Sequence, residues 1–518
     1  MSTPALSNTK NGRPGWPFAP LIFFLVLGLA GCGADAGEGD EPGSKGLAPA
    51  NPSTPPNIIL ILADDLGYGD LSCYGQTAFA TPHLDRLAAD GIRFTSFYAG
   101  STVCAPSRAS LMTGKHGGHT SVRGNSPAPQ VLTDEEVTLA EVLRPAGYRS
   151  GIVGKWGVGT TGDPADPARN GFDYFYGYAD MGHAHNFYPT FLYRDTTEIY
   201  QTGNVARTDI DWSTHYSRRQ PVGGGVAADK VTYAVSEFEN ETINFIERNR
   251  DQPFFLYLSL NTPHANNEAG QYEGNGMEVR TELVEGEWVF QYGEFANRDW
   301  PAPEKGFATM IRDLDNLVGR IREELVAEGL ADNTVILFTS DNGPHAEGKH
   351  TVEYFDSNGP LRGNKRDLYE GGVRVPCIAY DPRSTVSGIT VDQPFAFWDL
   401  LPTFADYAGR STPPGLDGKS LYPLLREGQT DLPGHDLIYH EFYEQGGKQS
   451  LRRGDWKLVR RNLSNDQPVV EELYHLRTDL GETRDLSGDP AQAARLEELR
   501  VLAAGEHTAY GGMVLEGE

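Results

Sequence analysis

The sequence predicts an α/β fold with a large doubly wound sheet, parallel or mixed, that is flanked by helices. Two continuous apolar runs of strand length, residues 57–62 and 334–339, each end in polar side chains. Strands that are apolar on both faces are buried on both faces, which requires a helical layer on each side of their sheet. Strand candidates alternate with segments of helical periodicity, and this alternation is typical of doubly wound folds.

The other elements of the predicted catalytic domain, residues 57–434, follow from the same patterns. Further strands are predicted at residues 149–153, 254–259 and 375–380. Helical periodicity predicts helices at residues 107–113, 138–144, 231–249, 306–328 and 395–407. From about residue 435 to residue 518, short alternating runs and an alanine-rich helix near residues 490–503 predict a smaller C-terminal α+β subdomain with an antiparallel sheet.

The first 56 residues are predicted to lie outside this fold. Lys10 and Arg13 precede an uncharged apolar stretch, residues 21–30, which is the layout of a secretory signal and is too short for a membrane-spanning helix. Residues 32–56 are rich in Gly, Pro and small polar residues and predict a flexible tether.

The end of the apolar stretch, Leu29-Ala30-Gly31-Cys32, resembles the bacterial lipoprotein box. The resemblance implies a signal peptide of residues 1–31, lipidation of Cys32, and export to the periplasm, outer membrane or cell surface, with the lipid as the sole membrane anchor. The alternative is that Cys32 belongs to the signal peptide and is removed by cleavage further along the chain.

Charge and cysteine content exclude some classes of binding partner and a disulfide-stabilised fold. The chain of 518 residues has 44 Lys and Arg against 71 Asp and Glu, a formal net charge of −27. A field of this sign opposes binding to nucleic acid or to anionic lipid, so an anionic substrate needs a local cationic site. Four cysteines cannot form a disulfide framework for a chain of this length, so stability must come from packing.

Two polar pairs follow the two most apolar strands. Asp64-Asp65 and Asp341-Asn342 stand where ligands bind in open α/β sheets, outside the carboxyl ends of the strands. If the strands are neighbours, the side chains converge, and carboxylates packed together require a proton or a cation. An all-oxygen set suits Ca²⁺ or Mg²⁺ better than zinc. Either pair by itself is more often an ordinary turn or helix cap.

A possible nucleophile lies at the start of a predicted helix. The segment Cys104-Ala105-Pro106-Ser107-Arg108 has its proline near the first helical turn, and a helix N-terminus favours an anion or an activated nucleophile. The residues alone are also compatible with a capped helix and a buried cysteine. Continued by Ala-Ser-Leu-Met-Thr-Gly, the segment resembles the signature of the type I, arylsulfatase A-like sulfatases of the alkaline phosphatase superfamily.

Further segments resemble sulfatase blocks in the same order along residues 57–480. They are Gly154-Lys155-Trp156, Thr262-Pro263-His264, Ser340 to Gly343, Arg362 to Lys365, Glu370 to Pro376, Asp399 to Thr403 and Leu416 to Leu421. The resemblance implies that a separate maturation enzyme oxidises Cys104 to formylglycine, whose hydrate is the nucleophile. It also implies the following site: a divalent metal, usually Ca²⁺, on Asp64, Asp65, Asp341, Asn342 and the modified Cys104; sulfate or leaving-oxygen contacts from Lys155, His264 and Lys365; Arg108 holding the nucleophile; and Asp341 as its base.

One position departs from the family pattern. Many sulfatases have a histidine two residues after the lysine equivalent to Lys155, and this chain has Gly157. Another group or solvent must take the role of that histidine. The candidates, which are also candidate substrate-binding residues, are His116, His119, His183 and His185. Cys73 and Cys377 are predicted to be small buried residues, and their pairing is left open.

These observations predict a sulfuric ester hydrolase that acts on sulfated carbohydrates. The sequence leaves two alternatives: a phosphate or phosphonate monoester hydrolase of the same superfamily, and an inactive glycan-binding lipoprotein. A Walker-type phosphate loop and a Gly-x-Ser-x-Gly elbow are absent from the sequence, which argues against nucleotide hydrolysis and serine-esterase chemistry.

Overall fold

The computed structural model describes residues 54–125, 131–160, 166–214 and 220–509. The predicted signal peptide, almost all of the predicted tether and the predicted lipidation site Cys32 lie outside the described residues. Within those ranges, no helix combines the length and the apolar character needed to cross a membrane.

Strands and helices alternate along the described ranges. The strands, in chain order, are β1 (Asn57–Ala63), β2 (Ile92–Tyr98), β3 (Arg149–Lys155), β4 (Tyr174–Tyr178), β5 (Phe191–Arg194), β6 (Thr197–Tyr200), β7 (Val205–Ala206), β8 (Ala227–Asp229), β9 (Phe254–Ser259), β10 (Thr281–Val284), β11 (Glu287–Phe290), β12 (Thr334–Ser340), β13 (Arg374–Tyr380), β14 (Ile389–Val391), β15 (Phe395–Ala396), β16 (Leu437–Phe442), β17 (Lys448–Arg453), β18 (Trp456–Arg461) and β19 (Val470–His475). The helices are α1 (Pro82–Asp90), α2 (Cys104–Thr113), α3 (Leu139–Leu143), α4 (Ala234–Asn249), α5 (Asn267–Tyr272), α6 (Ala302–Ala327), α7 (Glu370–Val373), α8 (Leu400–Tyr407), α9 (Tyr422–Leu425) and α10 (Ala493–Glu506).

Among the described residues, an eleven-stranded mixed sheet forms the centre of the molecule. Its strand order is β14-β2-β13-β12-β1-β9-β3-β4-β5-β6, and β15 pairs with β2. The strands β12, β1, β9, β3 and β4 are parallel to one another, whereas β13 runs antiparallel to β12 and β2. The central sheet and its flanking helices confirm the predicted fold class.

Both faces of the central strands are buried, as their continuous apolar runs predict. Along β1, Ile59 and Ile61 belong to a core cluster that includes side chains of α1, α4 and α6. The alternate residues Ile58 and Leu60 belong to a second cluster with side chains of α2, α3 and α8. Each fully buried side chain of this size contributes about 1.5–3 kcal/mol. The sheet therefore fixes the positions of its strand ends, from which the site is built.

The predicted helix at residues 395–407 is partly wrong. Its first two residues form β15 and pair with Phe97 and Tyr98 of β2, and a 3-10 turn precedes α8, which begins at Leu400. The backbone N–H of Ala396 donates to the Asp399 carboxylate at 2.8 Å. Residues 395–407 have apolar residues at helical spacing, but the first of them form a strand and a turn. The edge of β2 and the Asp399 carboxylate bind backbone groups that a longer helix would use.

The C-terminal part forms a four-stranded antiparallel sheet in the order β16-β17-β18-β19. Helix α10 packs on it through Leu499 and Ala503, which contact a cluster that contains Leu451 and Leu458. The antiparallel sheet and the helix confirm the predicted α+β character of this part. The boundary near residue 435 stays a prediction.

Cys73 and Cys377 are both free thiols. Cys377 is buried in the cluster on one face of the central sheet, and Cys73 packs against the cluster on the other face. Because the sheet separates the two sulfur atoms, these cysteines do not pair with each other.

Candidate active site

The site lies at the carboxyl ends of β1 and β12. These strands are neighbours in parallel register, with Ala63 opposite Ser340, so the two polar pairs that follow them meet. The Asp65 N–H donates to Asp341 Oδ1 at 3.1 Å, and Asn342 Nδ2 donates to Asp65 Oδ1 at 2.7 Å. The four side chains of Asp64, Asp65, Asp341 and Asn342 are fully buried. The convergence expected from sequence is therefore present.

The donor set fits a hard divalent cation. Among the described residues, Asn342 Oδ1 is buried without a hydrogen-bond partner, beside three buried carboxylates. The ligand atoms of Asp64, Asp65, Cys104 and His264 all lie within 4.8 Å of one another. Carboxylate and amide oxygens are the ligands that Ca²⁺ and Mg²⁺ prefer, and a cation would offset the mutual repulsion of the carboxylates.

Cys104 is the first residue of α2. Its Sγ lies 3.4 Å from Asp64 Oδ1, and the residue is 1% exposed. Burial, with a further contribution from the Asp64 charge, raises the pKa of the thiol above its usual range. A thiol in this environment stays protonated and is a poor nucleophile, so unmodified Cys104 is not activated in the way of cysteine proteases.

Two cations approach the carboxylates from the side of β3 and α2. Lys155, the last residue of β3, places Nζ 2.6 Å from Asp64 Oδ2. Arg108, one turn after Cys104, donates from Nη2 to Asp341 Oδ2 at 2.8 Å and from Nη1 to the Lys155 carbonyl at 2.9 Å. The signature arginine thus ties α2 to the end of β12 and to the end of β3.

Lys365 approaches the cluster from the opposite side. Its Nζ donates to Asp65 Oδ2 at 2.8 Å, lies 3.1 Å from His264 Nε2, and donates to Glu347 Oε2 at 3.1 Å. His264 Nδ1 donates to the Ala265 carbonyl at 2.6 Å, which leaves Nε2 as an acceptor that faces Lys365. Lys365 and His264 are therefore a hydrogen-bonded pair.

The charges perturb one another strongly. Burial raises the pKa of Asp341 to about 7, with the neighbouring Asp64 as the next contribution. Burial opposes ionisation of Asp64 too, but the charges of Lys155 and the other cations hold the pKa of Asp64 well below its usual range. Burial and the charge of Lys365 lower the pKa of His264 to about 3, which keeps the imidazole neutral at physiological pH.

A cavity of about 530 Å³ opens above Cys104, and the described residues that line it include His185, His264, Lys365, Arg366, Asp180 and Glu444. His185 alone of the four candidate histidines is among the lining residues that the structure describes. Its ring stacks on that of His264 with 4.9 Å between ring centroids, and its Nδ1 lies 3.3 Å from the buried carboxylate of Glu268.

The other candidate histidines lie elsewhere. His116 and His119 follow the far end of α2, whose ten residues span about 15 Å, and they form a separate cluster with Asp417. His183 is fully buried, donates to the Phe191 carbonyl at 2.9 Å, and burial lowers its pKa to about 4. We therefore do not place these three histidines at the cavity.

Gly157 is fitted to its position. Its φ of 80° is in the left-handed region, and a Cβ there would lie 3.0 Å from Arg108 Cδ and 3.2 Å from Met181 Sδ. A larger residue would strain the backbone and displace either Arg108 or the loop that carries Met181. The glycine thus allows that loop, which also carries His185, to pack close to the signature arginine.

Sequence reasoning missed two carboxylates of the site. Glu347 contacts Lys365 and also Arg366 Nη1, at 2.6 Å, and Glu268 faces His185. The signal for Glu347 is its place five residues after Asn342, in the loop that leaves the Asp341-Asn342 turn. Glu268 lies four residues after His264, in the first turn of α5. Neither spacing has a specific meaning without the fold.

Comparison with known proteins agrees with this geometry. The Sulfatase family model matches residues 56–410, and a model of the C-terminal region of N-sulphoglucosamine sulphohydrolase matches residues 363–503. Human arylsulfatase A is 32% identical over 497 residues, with 89% of each chain covered. Human N-acetylgalactosamine-6-sulfatase is 33% identical over 416 residues, with 76% of this chain and 70% of the relative covered.

A solved structure shows the same relationship in three dimensions. The crystal structure of Ps i-CgsB in complex with k-i-k-neocarrahexaose superposes with a TM-score of 0.69 at 26% identity, covering 88% of this chain and 93% of that one. The family model spans more than half of the chain, and the relatives are matched over most of their length. This chain therefore belongs to the sulfatase family and is a sulfatase of the alkaline phosphatase superfamily.

Proposed function

We propose that this sulfatase hydrolyses sulfate monoesters of carbohydrates, with an oxidised Cys104 as the nucleophile and Ca²⁺ as the metal. The observation that carries the proposal is the position of Cys104 Sγ, which lies 3.4 Å from Asp64 and lines a cavity together with His264 and Lys365. Lys155 binds the same Asp64 from the side of β3. Relatives that are named for sulfated sugars, N-acetylgalactosamine-6-sulfatase and the neocarrahexaose-bound Ps i-CgsB, support a carbohydrate as the alcohol.

The metal would be held by Asp64, Asp65, Asp341 and Asn342, with Mg²⁺ as the alternative to Ca²⁺. A divalent cation at these oxygens supplies Lewis-acid polarisation of a sulfate oxygen and stabilises an oxyanion nucleophile. The unpartnered Asn342 Oδ1 supports this ligand set. Removal of divalent metal with a chelator is expected to lower the thermal unfolding midpoint as well as turnover, and Ca²⁺ is expected to restore both.

Formylglycine at position 104 supplies a hydrated aldehyde, one hydroxyl of which attacks sulfur while the other allows sulfate to leave. The environment of Cys104 supports this modification, since a buried thiol with a raised pKa is a weak nucleophile. A base must take the proton of the attacking hydroxyl. The family resemblance implies Asp341 for this role, and Arg108 links its carboxylate to Asp64, which contacts Cys104.

The cations of the site would hold the sulfate and protonate the alcohol that departs. Lys365 lines the cavity and Lys155 is paired with the adjacent Asp64, so both would stabilise charge on the nonbridging oxygens by electrostatic preorganisation. A proton lies between Lys365 Nζ and His264 Nε2, which are 3.1 Å apart, and it can pass to the leaving-group oxygen as the S–O bond breaks. Arg108 fixes Asp341 through two N–H donors.

The site carries its own positive charge, which reconciles an anionic substrate with a protein of net charge −27.

We also propose, from the N-terminal sequence, that the chain is exported and anchored by lipid on Cys32. Mass spectrometry of the mature N-terminus tests this, and a free amine beyond Cys32 would contradict it.

The decisive experiment combines mass spectrometry of the peptide that spans Cys104 with rates on matched aryl sulfate and aryl phosphate esters. We expect the formylglycine mass in natively expressed, active protein and a clear preference for the sulfate ester. An intact thiol in active protein would overturn the proposed nucleophile. A preference for the phosphate ester by orders of magnitude would favour the phosphate or phosphonate monoester hydrolase instead.

A further inference from the structure

A second concave surface lies beside the catalytic cavity, between two short ribbons. The ribbons are β7–β8 and β10–β11, and the groove between them has a volume of about 900 Å³. Its described lining includes Trp288 and Phe290 from β11, Asp229 from β8, and the charged side chains of Arg207 and Glu273. The volume lies within the ~300–1,000 Å³ that is typical of small-ligand sites.

The groove has an aromatic face and a polar border. Trp288 and Phe290 are two residues apart on β11 and so project to the same side of the ribbon. The indole Nε1–H of Trp288 donates to Asp229 Oδ1 at 3.2 Å, which fixes the orientation of the ring. Lys230 Nζ lies 5.3 Å from the Phe290 ring centroid. Both aromatic rings are half-buried, and Phe290 also packs against the main core cluster.

Most charged side chains of the groove are paired, but acidic groups are in excess, since Asp229, Glu273 and Glu287 line it against Arg207 and Lys230. Glu273 accepts from Lys230 Nζ at 2.6 Å and lies 3.2 Å from Arg207 Nη1. Lys230 also lies 3.0 Å from Glu278, which is fully buried. A groove with this charge balance disfavours an anionic group and admits a neutral one. It offers hydrogen-bond donors and acceptors beside an apolar ring.

A short helix joins this groove to the catalytic cavity. Asn267, the first residue of α5, lines the cavity, and Glu273, which directly follows α5, lines the groove. Six residues of helix correspond to about 9 Å. The helix cap is tied to the groove floor, because Asn266 Nδ2 donates to Glu278 at 2.7 Å and Glu278 in turn holds Lys230. The two surfaces are therefore held at a fixed separation.

We propose that this groove binds a pyranose unit of the glycan whose sulfate ester occupies the catalytic cavity. A pyranose ring has an apolar C–H face that matches the Trp288 ring and peripheral hydroxyls that match paired carboxylates and guanidinium groups. The proposal rests on the proposed function and sharpens its substrate class to an oligosaccharide or polysaccharide. A sulfated monosaccharide would leave the groove empty.

The test is affinity electrophoresis of the full-length Cys104→Ala protein in native gels that contain ι-carrageenan, fucoidan, chondroitin sulfate or heparan sulfate. We expect at least one polysaccharide to retard the protein, and Trp288→Ala to weaken that retardation at least threefold. Trp288→Phe, which keeps the aromatic face, should retain most of it. Tyr200→Ala removes an exposed aromatic residue outside the groove and is the matched control, expected to migrate like the parent.

Two results would overturn the proposal: no retardation of the parent in any of the four gels, or equal retardation of the parent and Trp288→Ala. Thermal unfolding of each variant shows whether a change reflects misfolding, and Trp288→Phe keeps the test valid if the alanine variant is unstable. Hydrolysis of an aryl sulfate by the unsubstituted protein is measured separately. If a polysaccharide retards the protein but the unsubstituted protein does not hydrolyse the aryl sulfate, the proposed function is contradicted. If the protein hydrolyses the aryl sulfate but no polysaccharide retards it, the proposed sugar-binding groove is contradicted.

Discussion

Among the described residues, two buried clusters of carboxylates and cations differ in their access to solvent. The first is the site cluster of Asp64, Asp65, Asp341, Lys155 and Lys365, which opens onto the catalytic cavity. The second, which we name the sealed cluster, lies where the C-terminal sheet packs against α7 and consists of Glu370, Glu482, Lys457, Arg374 and Arg452.

The carboxylates of the sealed cluster are fully buried, and its charged groups are paired with one another. Lys457 Nζ lies 2.8 Å from Glu370 and 3.0 Å from Glu482, and Arg374 lies 3.2 Å from Glu370 Oε2. The Tyr98 hydroxyl donates to the same Glu370 oxygen at 2.7 Å. In the site cluster, by contrast, Cys104 and Lys365 reach the cavity. Buried charge alone therefore does not identify a catalytic site, and access from a cavity does.

The largest expected difference between the clusters is in catalysis. Lys365→Ala removes a cation that we propose contacts the sulfate or the leaving oxygen, and we expect kcat/KM on an aryl sulfate to fall about 10³-fold. Initial-rate kinetics measure the effect. Lys305→Ala, a change at a partly exposed lysine on α6, is the matched control and should leave the rate unchanged. A Lys365→Ala enzyme with near-parental kcat/KM would remove this residue from the catalytic machinery.

The sealed cluster should respond in stability instead. Lys457→Met leaves Glu370 and Glu482 buried without their shared cation, so we expect the free energy of unfolding to fall by about 3–5 kcal/mol. Denaturant titration measures this, and turnover per folded molecule should stay at the parental level. A stable Lys457→Met protein with impaired turnover would reverse the distinction between the two clusters.

Substitution of His185 tests whether the residues that line the cavity beside the site cluster contribute to catalysis. Because its ring stacks on His264 and lines the cavity, we expect His185→Ala to lower kcat/KM about 10- to 100-fold, at the lower end of acid–base or substrate-contact effects. The matched control is His119→Ala, since His119 lies beyond the far end of α2. Equal losses from the two substitutions would show that the cavity lining does not distinguish them.

The sealed cluster should also make stability depend on pH. Burial raises the pKa of Glu482 to about 7, whereas an unfolded glutamate titrates near 4.5. The folded state therefore binds the additional proton between these values, so this group's contribution to stability declines as pH rises from about 4.5 to 7. Glu482→Gln should flatten that slope in pH-dependent denaturant titrations. An unchanged slope would show that Glu482 is ionised throughout this range.

The centre of the fold was predictable because its strands have no alternative environment. The runs that form β1 and β12 are apolar over most of their length, and only a sheet covered on both faces buries them. If these strands were neighbours, their polar ends had to meet, which located Asp64, Asp65, Asp341 and Asn342 from the sequence alone. The predicted roles of these residues remain to be tested.

The periphery was less predictable, for identifiable reasons. Ribbons such as β10–β11 are largely exposed, so no burial pattern distinguishes them from loops. His116 and His119 lie close to Cys104 in sequence, but the intervening helix carries them away from the cavity. The sealed cluster joins Glu370, Lys457 and Glu482 across 112 positions, a pairing without a local signal.

The depth of Cys104 constrains the order of biosynthesis. With 1% of its surface exposed, the residue is covered once α2 has docked against the ends of β1 and β12. If Cys104 is converted to formylglycine as proposed, an enzyme would have to act on it before this docking, because the folded residue is open only to the cavity. Protein that folds without this conversion would then lack the proposed nucleophile.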